Sequence, residues 1–306
     1  MNSTIECRKC HSKNSINATL CYNCDESLQN YNYYKNDFKV YYKLFSKENM
    51  EILEKIPLTD TSYDTILNNI ININPEITIP AYPTIPVLLK IIKPYVRVQY
   101  DSENKHPNFL SFYSFNKIFL NRTTPSNMIP SSIIHELAHH LFNEIIKQTI
   151  MHLLNTEKNL YIESFAWYLT LQNKYLEITN EYVSHKVQEY FIPEKFNGYT
   201  SLIKILMDND DLDTKKIETA LSFGSSISDD VIFILEHFIK QVNNNNMPHI
   251  SQDNTIGYPI YKFNTQQKID ALYTIIYKTF ELFYKNKKDM LPLLDQFNQS
   301  YIYYNI

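Results

Sequence analysis

Glycine is nearly missing from this chain. Three glycines in 306 residues, Gly198, Gly224 and Gly257, exclude a fold rich in tight hairpins or phosphate-cradling loops and favour helix. No run approaches the roughly 18 apolar residues that cross a bilayer, and Met1 to Lys13 lack the apolar stretch of a signal peptide. The expected compartment is therefore the cytoplasm, with no membrane partner. Strong charge of one sign is also lacking. At a net −4, with Arg8, Lys9 and Lys13 the only basic patch near the cysteines, a nucleic-acid partner is not expected. What remains is an ordinary globular composition, 44% hydrophobic and 20% charged, long enough for one large domain or two modest ones.

Cysteine is absent after position 24. All four cysteines form two knuckles, Cys7-Arg-Lys-Cys10 and Cys21-Tyr-Asn-Cys24. Two CxxC turns supply four thiolates to one tetrahedral zinc, and the ten residues between them suffice for a short hairpin. A disulfide framework belongs to secreted chains, and nothing nearby reads as the βαβ unit of a redox pair. The segment resembles the short zinc ribbons at the N-termini of many microbial proteins. So small a unit folds only with its metal. His11, next to four thiolates, is a bystander.

A polar stretch, Asp25 to Asn36, follows as a linker. Helical spacing runs from Asp37 to Lys55, and a short helix follows Asp60 or Thr61. Pro75, Pro80, Pro83 and Pro86 then forbid regular structure. Three strands are expected at Tyr95–Tyr100, Phe109–Phe115 and Lys117–Arg122, with Asn116 turning a hairpin. Beyond Pro130 the pattern is helical almost to the end: about 156–178, 181–191, 200–207, 213–222, 229–242, 265–285 and 289–299. Asp208 to Asp213 read as a solvated turn, because the EF-hand spacing is absent.

Chemistry concentrates in Ser132-Ile-Ile-His-Glu-Leu-Ala-His-His-Leu141. His135 and His139 are about 40° apart around a helix and leave one face a turn apart, while Glu136 stands about 100° away. This is HExxH, in which two His hold zinc and the Glu serves as general base. The flanking aliphatic residues bury the helix, and buried imidazoles and a carboxylate are costly without a metal or hydrogen-bond partners. His140, about 140° from His135, is not expected to be a ligand.

A catalytic zinc needs a third protein ligand. No His stands at the HExxHxxGxxH spacing, so a carboxylate from the returning helix is expected. Glu163, in Tyr161-Ile-Glu-Ser-Phe-Ala166, is the first candidate, with Ala166 permitting close helix approach. Pairing His139 with Glu163 requires the His helix to end or bend around Lys147 to Thr149, where there is neither Gly nor Pro. A helix unbroken to Leu154 would instead bring Glu177 level with His139. Both carboxylates stay open.

The series Ile134-His-Glu-Leu-Ala-His-His-Leu141 followed by Glu163-Ser-Phe-Ala166 resembles gluzincin metallopeptidases, most of all the ImmA/IrrE-type group, over roughly Tyr95 to Leu176. The resemblance implies an α+β, mostly helical fold. Its zincin-like core, about 95–178, would combine a small sheet, an active-site helix and a glutamate helix. Outside that pattern stand a helical part, 179–306, expected to complete a domain spanning 37–306, and before it a zinc ribbon at 1–28 and a linker at 29–36. The resemblance implies a strand above the cleft, Lys117–Arg122, whose edge an extended polypeptide substrate would join.

The function expected is zinc-dependent peptide hydrolysis. His135, His139 and Glu163 would hold a catalytic zinc, Glu136 would act as general base, and Cys7, Cys10, Cys21 and Cys24 would hold a structural zinc. His185, His237, His249 and Tyr258 are candidate oxyanion donors. The alternative is a non-catalytic regulatory protein whose ribbon docks a protein partner and whose HExxH site is structural or vestigial.

Overall fold

The computed structural model describes residues 4–6, 12–15, 23, 43–55, 58–72, 97–100, 109–192, 198–208, 212–240 and 257–305. Cys7, Cys10, Cys21 and Cys24 lie outside them. In the cysteine segment, β1 (Thr4–Glu6) pairs antiparallel with β2 (Lys13–Ser15), so the two strands flank the first knuckle rather than joining the two knuckles. The remaining described residues are mostly helical, with one three-stranded sheet.

The sheet follows the expected strands closely: β3 (Arg97–Tyr100), β4 (Ser111–Ser114) and β5 (Lys117–Leu120). Phe115 and Asn116 join β4 to β5 with φ of 42° and 62°, the positive pair that a type I′ two-residue hairpin needs. Asn tolerates this conformation; Phe115 does so because its ring is buried against Trp167, 4.5 Å between centroids. The strand order is β3-β5-β4, with β3 parallel and β4 antiparallel to β5. That order corrects the expected rim. Lys117–Leu120 is the central strand, paired on both sides, and β4 carries the edge beside the His helix.

Before the sheet lie α1 (Lys47–Lys55) and α2 (Asp60–Ile71). After it, α3 (Ile129–Leu154) starts with Pro130 in its first turn, as expected, and runs 26 residues without a break. No Gly or Pro interrupts it after Pro130. It stops where Asn155 turns left-handed (φ 45°) and the Asn155 and Thr156 amides close on the carbonyls of His152 and Met151. The bend required near Lys147 to Thr149 is not there.

The returning chain differs as well. The helix expected over 156–178 is two helices, α4 (Leu160–Gln172) and α5 (Lys174–Phe191). Asn173 ends the first and caps the second through its side-chain oxygen, which accepts from the Tyr175 and Leu176 amides. After α6 (Thr200–Asp208), the stretches 213–222 and 229–242 fuse into one helix, α7 (Thr214–Lys240), followed by α8 (Thr265–Lys285) and α9 (Lys287–Asn305).

One apolar core runs from Leu44 to Leu294 through α3, α4 and α5. Phe45 stacks on Phe283 and meets Phe165 edge-on, tying the first helices to α4 and α8. Gly224 is where α7 comes nearest α5: a Cβ there would stand 3.0 Å from the Tyr182 ring and 3.1 Å from the Thr179 carbonyl. Helix α5 packs against both α7 and α3. Among the described residues, no helix is long and apolar enough to cross a membrane.

Candidate metal centre

Helical spacing alone brings the Nε2 atoms of His135 and His139 to 3.2 Å. The third group arrives from α5. Glu181 sets Oε1 3.3 Å from His135 Nε2 and Oε2 3.5 Å from His139 Nε2. Ligand atoms held tetrahedrally at about 2.0–2.2 Å from a metal stand roughly 3.3–3.6 Å from one another. The observed separations are of that size, 3.2 Å between the nitrogens and 3.3 and 3.5 Å from each nitrogen to a different carboxylate oxygen. Among the described residues, His135, His139 and Glu181 are the one group of three or more His, Cys, Asp or Glu side chains close enough to hold a metal ion.

Hydrogen bonds behind the rings set which nitrogens face the centre. His139 Nδ1 lies 2.9 Å from Ser184 Oγ and 2.9 Å from Asn180 Oδ1. The Ser184 hydroxyl spends its hydrogen on the Asn180 carbonyl, so toward His139 it accepts, and Nδ1 carries the proton. His135 Nδ1 donates to Gln188 Oε1 at 3.1 Å, while the Gln188 amide nitrogen donates to Ser131 Oγ. With both Nδ1 positions protonated, two Nε2 lone pairs and a carboxylate converge on one point. With His135 neutral these are three acceptors, the arrangement a cation satisfies in place of the His135 proton.

Without a metal, the same groups form an ion pair. Burial opposes charge on His135, but the Glu181 carboxylate beside it, with help from Glu136 and Gln188, outweighs burial and raises its pKa to about 9. Burial likewise opposes charge on Glu181, yet His135, His185 and His139 hold its carboxyl well below the usual range. The His side chains are each 14% exposed and Glu181 11%, so the centre is shielded but reachable from solvent. Glu136 is buried and accepts a hydrogen bond from Ser111 Oγ of β4 at 2.7 Å.

The expected residues divide sharply. His135, His139 and Glu136 share one place. Glu163 is elsewhere: its carboxylate meets Lys147 Nζ at 2.9 Å and Lys158 Nζ at 3.1 Å, on another face of α3 about two turns further along. Lys147, completely buried, also binds Glu144. Glu177 sits in the first turn of α5, one turn short of Glu181. The unbroken α3 removes the pairing that favoured Glu163, and the break at Asn173 changes the returning chain so that Glu181, one turn beyond Glu177, meets the imidazoles. His140 faces away, its Nδ1 3.0 Å from the Tyr113 hydroxyl, and burial keeps it neutral. Of the candidate oxyanion donors, His185 lies at the centre, its Nε2 3.3 Å from Glu181 Oε1. Burial lowers its pKa. His237 is exposed on α7, Tyr258 packs against a small apolar cluster, and His249 is outside the described residues.

The sequence places Glu181 at the start of an expected helix over 181–191, where a carboxylate needs no metal to explain it. A usable pattern existed: Asn180, Glu181, Ser184, His185 and Gln188 recur at one and four residues, a polar stripe on a helix otherwise carrying Ile178, Tyr182, Val183 and Val187. Comparison with protein-family models, with curated proteins and with solved structures finds no match to this chain.

Proposed function

We propose that the protein is a zinc-dependent peptidase whose metal ligands are His135, His139 and Glu181. The observation that carries this reading is the donor set: two imidazoles in one tautomer and a carboxylate, close enough together to hold one ion, beside a fourth side chain, Glu136, that is not one of the three. Two His and one Glu are the donors of open, catalytic zinc sites, whereas structural sites are rich in Cys.

Zinc, when bound, supplies Lewis acidity to the scissile carbonyl and to the attacking water. Glu136 accepts a proton from that water as its oxygen bonds to the carbonyl carbon. It returns the proton to the amine as the C–N bond breaks, so one water is consumed and two peptide ends are released. Ser111 keeps the Glu136 carboxylate oriented for both transfers. Asn180, Ser184 and Gln188 hold the imidazoles in the ligating tautomer. An extended polypeptide would lie along β4, whose Ser111 reaches Glu136 and which pairs on one side only among the described residues. The zincin-like likeness of the core belongs to the same proposal. So do a structural zinc on Cys7, Cys10, Cys21 and Cys24, a protein partner for that ribbon, and a cytoplasmic location.

Glu136→Gln tests the reading. Hydrolysis of a general protein substrate such as casein should fall by about 10²–10⁴ while zinc content stays at two per chain. Unchanged turnover sinks the peptidase. One zinc per chain, lost with the cysteines, leaves the ribbon alone as a metal site.

A further inference from the structure

Of the side chains outside the triad that touch a metal ligand, Ser201 comes from a different element, the short helix α6. Ser201, on α6, donates its hydroxyl hydrogen to Glu181 Oε1. Having spent that hydrogen, Oγ accepts from His185 Nε2–H at 2.8 Å. His185 Nε2 is also 3.3 Å from Glu181 Oε1, and its ring packs edge-on against His135, 4.7 Å between centroids. The Glu181 carboxylate thus stands between two imidazoles on one side and a Ser201–His185 pair on the other.

Helix α6 is nine residues long, and Leu202 is its only fully buried side chain. Leu202 enters the small cluster of Ile178, Tyr182, Ile217 and Leu221, with Ile205 and Leu206 packed on it. The outward residues Ile203 and Met207 are 47% and 73% exposed. An element with one fully buried side chain, and otherwise only the half-buried Tyr199, Ile205 and Leu206 packed on the cluster, belongs to the less stable end of a structure. For such an element, a charge-assisted hydrogen bond to a carboxylate is a large share of what docks it.

We propose that α6 is a clamp on the metal centre: Ser201, backed by His185, holds Glu181 in its ligating pose, so metal binding and α6 docking are coupled. Ser201 and His185 are positioning residues that act through Glu181. The clamp rests on the metal-binding part of the proposed function and not on peptide hydrolysis. Coupling is reciprocal: if α6 steadies the ligand, the bound metal steadies α6. The face of α6 turned to solvent then becomes a place from which the centre's metal affinity is adjusted.

The test uses the full chain, with zinc as the probe, and follows the zinc equivalent that Glu181→Gln removes. Ser201→Ala should weaken that equivalent about tenfold to a hundredfold, the usual cost of losing a group behind a ligand, measured by chelator competition. Ser201→Thr, which keeps the hydroxyl, should recover most of the loss. In the wild type, zinc should slow hydrogen exchange of amides 200–208, and Ser201→Ala should abolish that slowing while the metal-free circular dichroism is unchanged. Wild-type affinity in Ser201→Ala, zinc-independent exchange in wild-type α6, or a wild type that binds no zinc at Glu181 each overturns the clamp. Normal coupling without peptide cleavage overturns the peptidase and leaves the clamp standing.

Discussion

Ser111 Oγ of β4 donates to Glu136 Oε1 of α3 across 2.7 Å, joining the edge strand to the side chain next to a metal-ligand candidate. Two residues along the same strand face, the Tyr113 hydroxyl meets His140 Nδ1 at 3.0 Å. The strand is therefore bolted to the His helix on both sides of the Glu136–His140 turn. A hydrogen bond to a charged group contributes about 1.5–3 kcal/mol. Ser111→Ala should accordingly lower kcat by roughly tenfold to a hundredfold, with zinc retained and KM little moved. Steady-state kinetics beside metal analysis checks this.

The two glutamates that compete for the third-ligand role separate cleanly. Glu181→Gln should remove the zinc equivalent at α3 and leave the fold intact. Glu163→Ala should keep that zinc but destabilise the protein by about 3–5 kcal/mol, because it strips the buried Lys147 ammonium of a partner. Metal analysis and urea unfolding of the two variants distinguish the assignments. Zinc lost from Glu163→Ala instead would restore the expectation from sequence.

Acidity acts in opposite directions with and without metal. In the metal-free protein His135 is raised from its ordinary 6.5 to about 9. Its stabilising contribution is complete below pH 6.5 and is lost as pH rises through about 9. Glu181 is lowered from 4.5, so its contribution is present above pH 4.5 and is lost as pH falls through the lowered value. The pair therefore supports the metal-free fold best between about pH 4.5 and 6.5. Zinc must displace the His135 proton, so its affinity should climb from pH 6 to 8.5. Thermal shifts on adding zinc should be larger at pH 8 than at pH 6; a constant shift contradicts the assignment.

Gly224→Ala places a methyl 3.0 Å from the Tyr182 ring and 3.1 Å from the Thr179 carbonyl. Backbone yields less readily than a flexible side chain, so α5 must give by a few tenths of an ångström. A cost of about 1–3 kcal/mol is expected. Because α5 carries Glu181, Ser184 and Gln188, zinc affinity should fall with it. Unfolding and chelator competition on the same variant should move together.

Much of the site is local and was therefore readable. His135, Glu136 and His139 need only helical spacing, Pro130 marks the start of their helix, and Asn116 marks a turn that demands positive φ. The third ligand is not local. It depends on where α3 stops, which Asn155 decides by turning left-handed, and on Asn173 splitting the returning chain in two. It depends as well on Gly224 letting α7 approach α5 closely. None of these follows from periodicity, because each is a choice among conformations that tertiary packing selects. The sequence by itself determined that two imidazoles and a carboxylate share a helix. Only the tertiary structure decided that Glu181 meets them, because that meeting requires three helices to pack at one register.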